Sequence, residues 1–144
     1  MSGALVLDTN VLVSAALKPE SDLARIVEQV LLRQVPLHVC PSIVLEYREV
    51  LNRPRFRPKG LPPTWLPRLL QVAFHEPEPA AWPLGGPDGD DLVFLSLAKA
   101  ARAVLVTGNL AHFPESIRDG VAVLSPAEYL AGVVPPMLRS LEGG

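Results

Sequence analysis

The chain has 144 residues, the length of one ordinary domain, and with 49% apolar and 19% charged residues it can bury a sizeable core, which excludes disordered and fibrous architectures. Thirteen basic against fifteen acidic residues give a formal net charge of −2, so the protein does not coat nucleic acid by bulk electrostatics. No apolar run approaches the roughly 18 to 20 residues of a membrane helix, and the opening Met1, Ser2 and Gly3 form no basic lead into a signal peptide; the expectation is a soluble, cytoplasmic protein with no membrane partner.

A continuous apolar run at residues 4–7, ending at Asp8, suits a strand buried on both faces of a parallel sheet. Leu23, Ile26, Val27, Val30 and Leu31 then follow the spacing of an amphipathic helix, with start signals at Pro19, Glu20, Ser21 and Asp22. Residues 37–40 read as a second strand, and Cys40, a single cysteine with no His or Cys companion nearby, reads as a small core residue. Ser42 is placed to cap a helix that carries Ile43, Val44, Tyr47, Val50 and Leu51 and stops before Pro54.

Residues 53–63, rich in proline and basic side chains, read as an ordered arm, and a short helix follows over residues 65–74. The proline- and glycine-rich stretch 76–89 is a loop that delivers Asp90 and Asp91 to the head of a helix running to about Ala101. Strands follow at 104–107 and 121–124, with a turn at Gly108 and Asn109 between them. Ser125 with Glu128, and Pro126 at the first helical position, form a capping box for the last helix, and residues 135–144 read as a frayed tail. Strands alternating with helices imply an α/β fold: one domain over 1–144 with three layers, a central mostly parallel sheet and helices on both faces.

In such sheets functional groups gather beyond the carboxyl ends of the strands. Asp8, Thr9 and Asn10 lie beyond the first strand, Thr107 and Asn109 beyond a later one, Glu46 on the helix after the second strand, and Asp90 and Asp91 at another helix start. Carboxylates about 4 Å apart repel by roughly 4 kcal/mol at an effective dielectric of 20, so a cluster of them shares protons, stays apart or holds cations. Oxygen donors without His or Cys favour Mg²⁺ or Mn²⁺, ions that activate water and stabilise the leaving oxygen of a phosphodiester. The charges are segregated: Arg48, Arg53, Arg55, Arg57 and Lys59, with Phe56 among them, fall in one stretch that can meet phosphates and stack on a base, while Glu76, Glu78, Asp88, Asp90 and Asp91 fall in another.

Each feature also has an ordinary reading. Asp8 can be a helix cap, Asp90 and Asp91 can complement a helix dipole, Glu46 can be a solvated or ion-paired residue, and the arginine run can be a solvated loop. His38, His75 and His112 have no ligand spacing and read as structural, and Trp65 and Trp82 as packing residues. Only the joint placement of the acids favours function.

That placement resembles the PIN domain family, in its single-domain prokaryotic branch that includes the VapC-type toxins of toxin–antitoxin pairs. The resemblance rests on Val6, Leu7, Asp8, Thr9, Asn10, Val11 and Leu12, on Glu46 followed by Asn52, Arg53, Pro54, Arg55 and Phe56, and on Asp91, which lies 16 positions before Thr107, with Ala98 and the run Leu105 to Asn109. It implies a metal-dependent endoribonuclease with Asp8, Glu46 and Asp91 as metal-binding and catalytic acids, Asp90 supporting or replacing Asp91, and Asn109 standing where the family carries a fourth acid. Thr9, Asn10 and Thr107 would orient these groups. A homodimer and a small antitoxin partner are further expectations, with RNA as substrate. Rival readings are a haloacid dehalogenase type of phosphatase, which wants an Asp where Asn10 stands, a receiver domain, which wants paired early acids and a late strand-terminal Lys, and an inactive PIN-like module that binds RNA or protein.

Overall fold

The apolar run before Asp8 forms β1 (Leu5–Leu7), with all three side chains buried, in a computed structural model that describes residues 3–53, 63–87 and 89–132. A strand buried on both faces needs parallel neighbours, and β1 pairs in parallel with β4 (Val104–Val106), which pairs in parallel with β5 (Val123–Leu124). The register places Leu5 beside Val104 and Leu7 beside Val106. A second parallel pair, β2 (His38–Val39) and β3 (Phe74–His75), joins the first through the bridge between Leu5 and Leu37. The lateral order is therefore β3-β2-β1-β4-β5, and the winding reverses at β1. A crevice at the carboxyl ends of β1 and β4 follows from that reversal.

Helices flank the sheet. α1 (Thr9–Leu17) packs on α2 (Asp22–Leu31) and α3 (Pro41–Leu51); α2 also meets α4 (Leu66–Val72) and α7 (Pro126–Leu130). α5 (Leu92–Ala101) covers β1 and β4, and the short α6 (Glu115–Arg118) lies between β4 and β5 in the chain. Tyr47, Phe94 and Phe113 are the largest fully buried side chains, and Cys40 is buried as well. None of the described helices is long and apolar enough to cross a membrane.

Several elements differ from the sequence reading. α1 was not foreseen: Val11, Leu12 and Ala15 are buried, and a helix apolar on most sides carries little 3.6-residue contrast. The helix expected over residues 65–74 ends at Val72, because Ala73 turns extended and the Phe74 amide donates to the Leu37 carbonyl at 2.8 Å, making β3. Ser42 does not cap α3. The helix begins two residues earlier, at Pro41, with Cys40 in the cap position and no side-chain cap bond there, while the Ser42 hydroxyl donates to Glu78. The Ser125 and Glu128 capping box is present in full, and Ser21 caps α2 by accepting from the Ala24 amide. The tail expected at residues 135–144 lies outside the described residues.

Candidate active site

Asp8 leaves β1 with its amide still bonded to the Val106 carbonyl at 3.0 Å, which extends the β1–β4 pairing and fixes its side chain at the crevice. It is 4% exposed and occupies the cap position of α1. The Thr107 hydroxyl donates to Asp8 Oδ2 at 2.8 Å and the Asn10 side-chain amide donates to the same oxygen at 3.1 Å. Asn10 in turn accepts from the Gly108 amide at 3.0 Å, and the Asn109 amide donates to the Thr107 hydroxyl oxygen at 3.0 Å. The two loops beyond β1 and β4 are thus stitched together through Asp8.

Glu46 arrives from α3. The Thr9 hydroxyl donates to Glu46 Oε2, tying the start of α1 to the middle of α3. One residue on, the buried Tyr47 hydroxyl donates to the Leu7 carbonyl at 2.5 Å, so α3 is also tied to the last residue of β1. Asp91 ends a 3₁₀ turn (Gly89–Asp91) and stands at the cap position of α5 without making a side-chain cap bond. Its side chain is 14% exposed, whereas Asp90 is exposed. His112 Nδ1 lies 2.8 Å from Asp91 Oδ2, an N–H donating to a carboxylate oxygen.

The electrostatics connect these pairs. Burial raises the Asp8 carboxyl above its ordinary value, against the lowering effects of the Thr107 hydroxyl, the Asn10 amide and the positive field of His112. The Tyr47 hydroxyl is pushed well up, first by burial and then by the negative charges of Asp8 and Glu46. One phenol therefore feels both carboxylates, and one imidazole acts on both Asp8 and Asp91. Among the described residues no lysine or arginine pairs with Asp8.

Hydrogen bonds thus link Asp8 with Asn10, Thr107 and, through its backbone amide, Asn109; Thr9, next in the chain to Asp8, holds Glu46, and Asp91 is bonded to His112, whose charge acts on Asp8. Among the described residues no group of three or more His, Cys, Asp and Glu side chains forms a set that could hold a metal ion. Mg²⁺ usually keeps several waters and uses one or two carboxylates, so an oxygen-only edge of this kind suits it better than a closed cage of side chains would suit zinc. Arg48 and Arg53 are exposed; Arg55, Phe56, Arg57, Lys59 and Asp88 lie outside the described residues. The bond between His112 and Asp91 is what the sequence reading missed. A search for histidine ligand spacing overlooks His112 because its partner is a carboxylate 21 positions upstream, and the usable signal was its place five residues after Thr107, in the turn leaving β4. His38 bonds Glu76 at 2.8 Å and His75 reaches the Leu70 carbonyl at 2.7 Å, structural roles as expected.

The sequence model of the PIN domain family matches residues 4–111, a span that holds Asp8, Glu46, Asp90 and Asp91. No curated protein sequence matches the chain. Among solved structures, VapBC2 from Rickettsia felis bound to a DNA fragment from their promoter has a TM-score of 0.60 with 17% identity, over 85% of this chain and 98% of that one. FitAcB from Neisseria gonorrhoeae has a TM-score of 0.51 with 19% identity and the same coverage. At such identities the likeness concerns the fold, and the fold agrees with the family match. By sequence match and by architecture, this chain belongs to the PIN domain family, whose members are typically nucleases.

Proposed function

We propose that the protein is a Mg²⁺- or Mn²⁺-dependent endoribonuclease, the toxin of a toxin–antitoxin pair. The observation that carries this reading is the buried Asp8 carboxyl at the crevice between β1 and β4, raised by desolvation and facing no lysine or arginine among the described residues, with Glu46 and Asp91 tied to its neighbours. A desolvated carboxylate without a cationic partner favours a bound cation, and the oxygen donors around it suit a hard divalent ion. Asp8, Glu46 and Asp91 would hold it, with Asp90 beside Asp91 and the Asn109 side chain completing the set. The exposure of Asp90 against the half-buried Asp91 supports Asp91 as the ligand.

When bound, the ion supplies Lewis-acid activation of water and charge stabilisation at the leaving oxygen of a phosphodiester. The chain's own residues set the geometry. Thr107 and Asn10 fix which Asp8 oxygen faces inward, and Thr9 does the same for Glu46. Arg48, Arg53, Arg55, Arg57 and Lys59 would contact flanking RNA phosphates. Hydrolysis needs no covalent intermediate, and the one cysteine is fully buried with its thiol pushed up by burial, which leaves it a poor nucleophile.

The likeness to VapBC2, bound to DNA from their promoter, supports an antitoxin partner; a homodimer and a cytoplasmic setting belong to the same proposal. A second reading is an inactive PIN-like module that binds RNA or protein; the lack of a three-acid set among the described residues favours it. Incubating RNA with the protein in Mg²⁺ or Mn²⁺, with and without chelator, separates the two. Cleavage that vanishes on chelation and in Asp8→Asn is expected of the nuclease, and metal-dependent cleavage surviving in Asp8→Asn rules out the site.

A further inference from the structure

His112 stands on the 3₁₀ turn Leu110–His112, which hangs from Asn109 by the bond from the His112 amide to the Asn109 carbonyl at 3.1 Å. The next residue, Phe113, is fully buried, and the Arg118 guanidinium clasps its carbonyl at 2.7 Å. The backbone under the imidazole is thereby anchored, while the ring itself is 40% exposed and fills no gap in the core. Its bond to Asp91 crosses from the β4 loop to the head of α5. That bond is not needed to finish the helix, since Asp91 makes no side-chain cap there, and a half-exposed ring contributes little packing. What the contact does is fix one oxygen of the Asp91 carboxylate, and the same imidazole also exerts its field on Asp8.

From this geometry, and resting on the metal-dependent reading above, we propose that His112 is a positioning residue that orientates the Asp91 carboxylate toward a divalent cation through its Nδ1–H. Carboxylates that bind metals are themselves held by hydrogen bonds, and loss of such a partner typically weakens metal binding by about 10- to 100-fold. The residue acts through Asp91 and touches neither substrate nor reacting atoms.

The test is Mn²⁺ binding by calorimetry on the full chain, with the melting temperature measured in chelator as a control for folding. His112→Ala is expected to weaken Mn²⁺ by about 10- to 100-fold while its chelator melting temperature stays near that of the wild type. His112→Asn sets an amide N–H close to the place of Nδ1 and is expected to recover most of the affinity; His112→Gln, whose amide reaches to the place of Nε2, is not. Unchanged Mn²⁺ affinity in His112→Ala overturns the role of His112 alone. So does a fall of melting temperature in all three variants in step with affinity, since that marks a merely structural residue. A wild-type chain that binds no Mn²⁺ overturns the metal-dependent reading itself, and the positioning role with it.

Discussion

Asp8 is costly to the apo protein. Its carboxyl is buried, its folded-state pKa is raised, and an acid raised on folding loses stability as pH climbs from its ordinary value toward the folded one. Asp8→Asn therefore melts higher than the wild type in chelator at neutral pH. Saturating Mn²⁺ reverses the order, because a ligand at about 100 times its Kd adds roughly 2.7 kcal/mol to the protein that binds it and nothing to the variant that does not. Calorimetric melting of both proteins in both conditions checks this, and an unchanged order in Mn²⁺ argues against Asp8 as a ligand. Glu78 behaves with the opposite sign. Burial alone would lift its carboxyl, yet bonds from the Ser42 hydroxyl, the Ser42 amide and Cys40 hold it below its ordinary value of 4.5. Its contribution is present above 4.5 and fades as pH falls through the lowered value. Glu78→Gln is expected to cost no more than about 1 kcal/mol at pH 7, the modest worth of an exposed charged contact, and progressively less as pH falls through the lowered value, as read from denaturant midpoints.

Among the elements, α3 shows how the site depends on parts that are not themselves acidic. Tyr47 projects from the same helix turn as Glu46 and grips the carbonyl of Leu7, immediately before Asp8. Tyr47→Phe leaves that carbonyl without the hydroxyl in a buried place, a loss of about 1–3 kcal/mol, and loosens Glu46 against Asp8. A lowered denaturant midpoint at unchanged slope, with slower RNA cleavage, is the expected pair of readings. The same helix marks the boundary of what the sequence could reveal. Glu46, Tyr47 and Leu51 were assigned to a helix by spacing, and the capping box at Ser125 by its residue types, because both signals are local. Ser42 was misassigned because its partner, Glu78, is 36 positions away, and β3 went unseen because two residues paired with a distant strand leave no pattern of their own. Asp8, Thr107 and Asn109 were legible since each ends a strand, whereas the pairing of His112 with Asp91 depends on how two loops meet.

For the molecule as a whole, the sheet order places the acids: β1 and β4 lie side by side at the point where winding reverses, so loops from both open onto one edge. The β2–β3 pair hangs on β1 by the lone bridge from Leu5 to Leu37, with the Leu5 amide bonded to the Pro36 carbonyl at 2.9 Å. The core nevertheless runs unbroken from β2 and α3 to β1 and β4, so this edge of the sheet frays locally and is the less protected part of the ladder. Deuterium uptake is expected to reach the amides of Phe74 and Glu76, bonded across β2–β3, well before those of Asp8 and Leu105 in the central ladder. Glu46 rides on the helix that follows β2, yet Thr9 and Tyr47 bind that helix to the β1 side, so fraying of the outer strands leaves this carboxylate where it is.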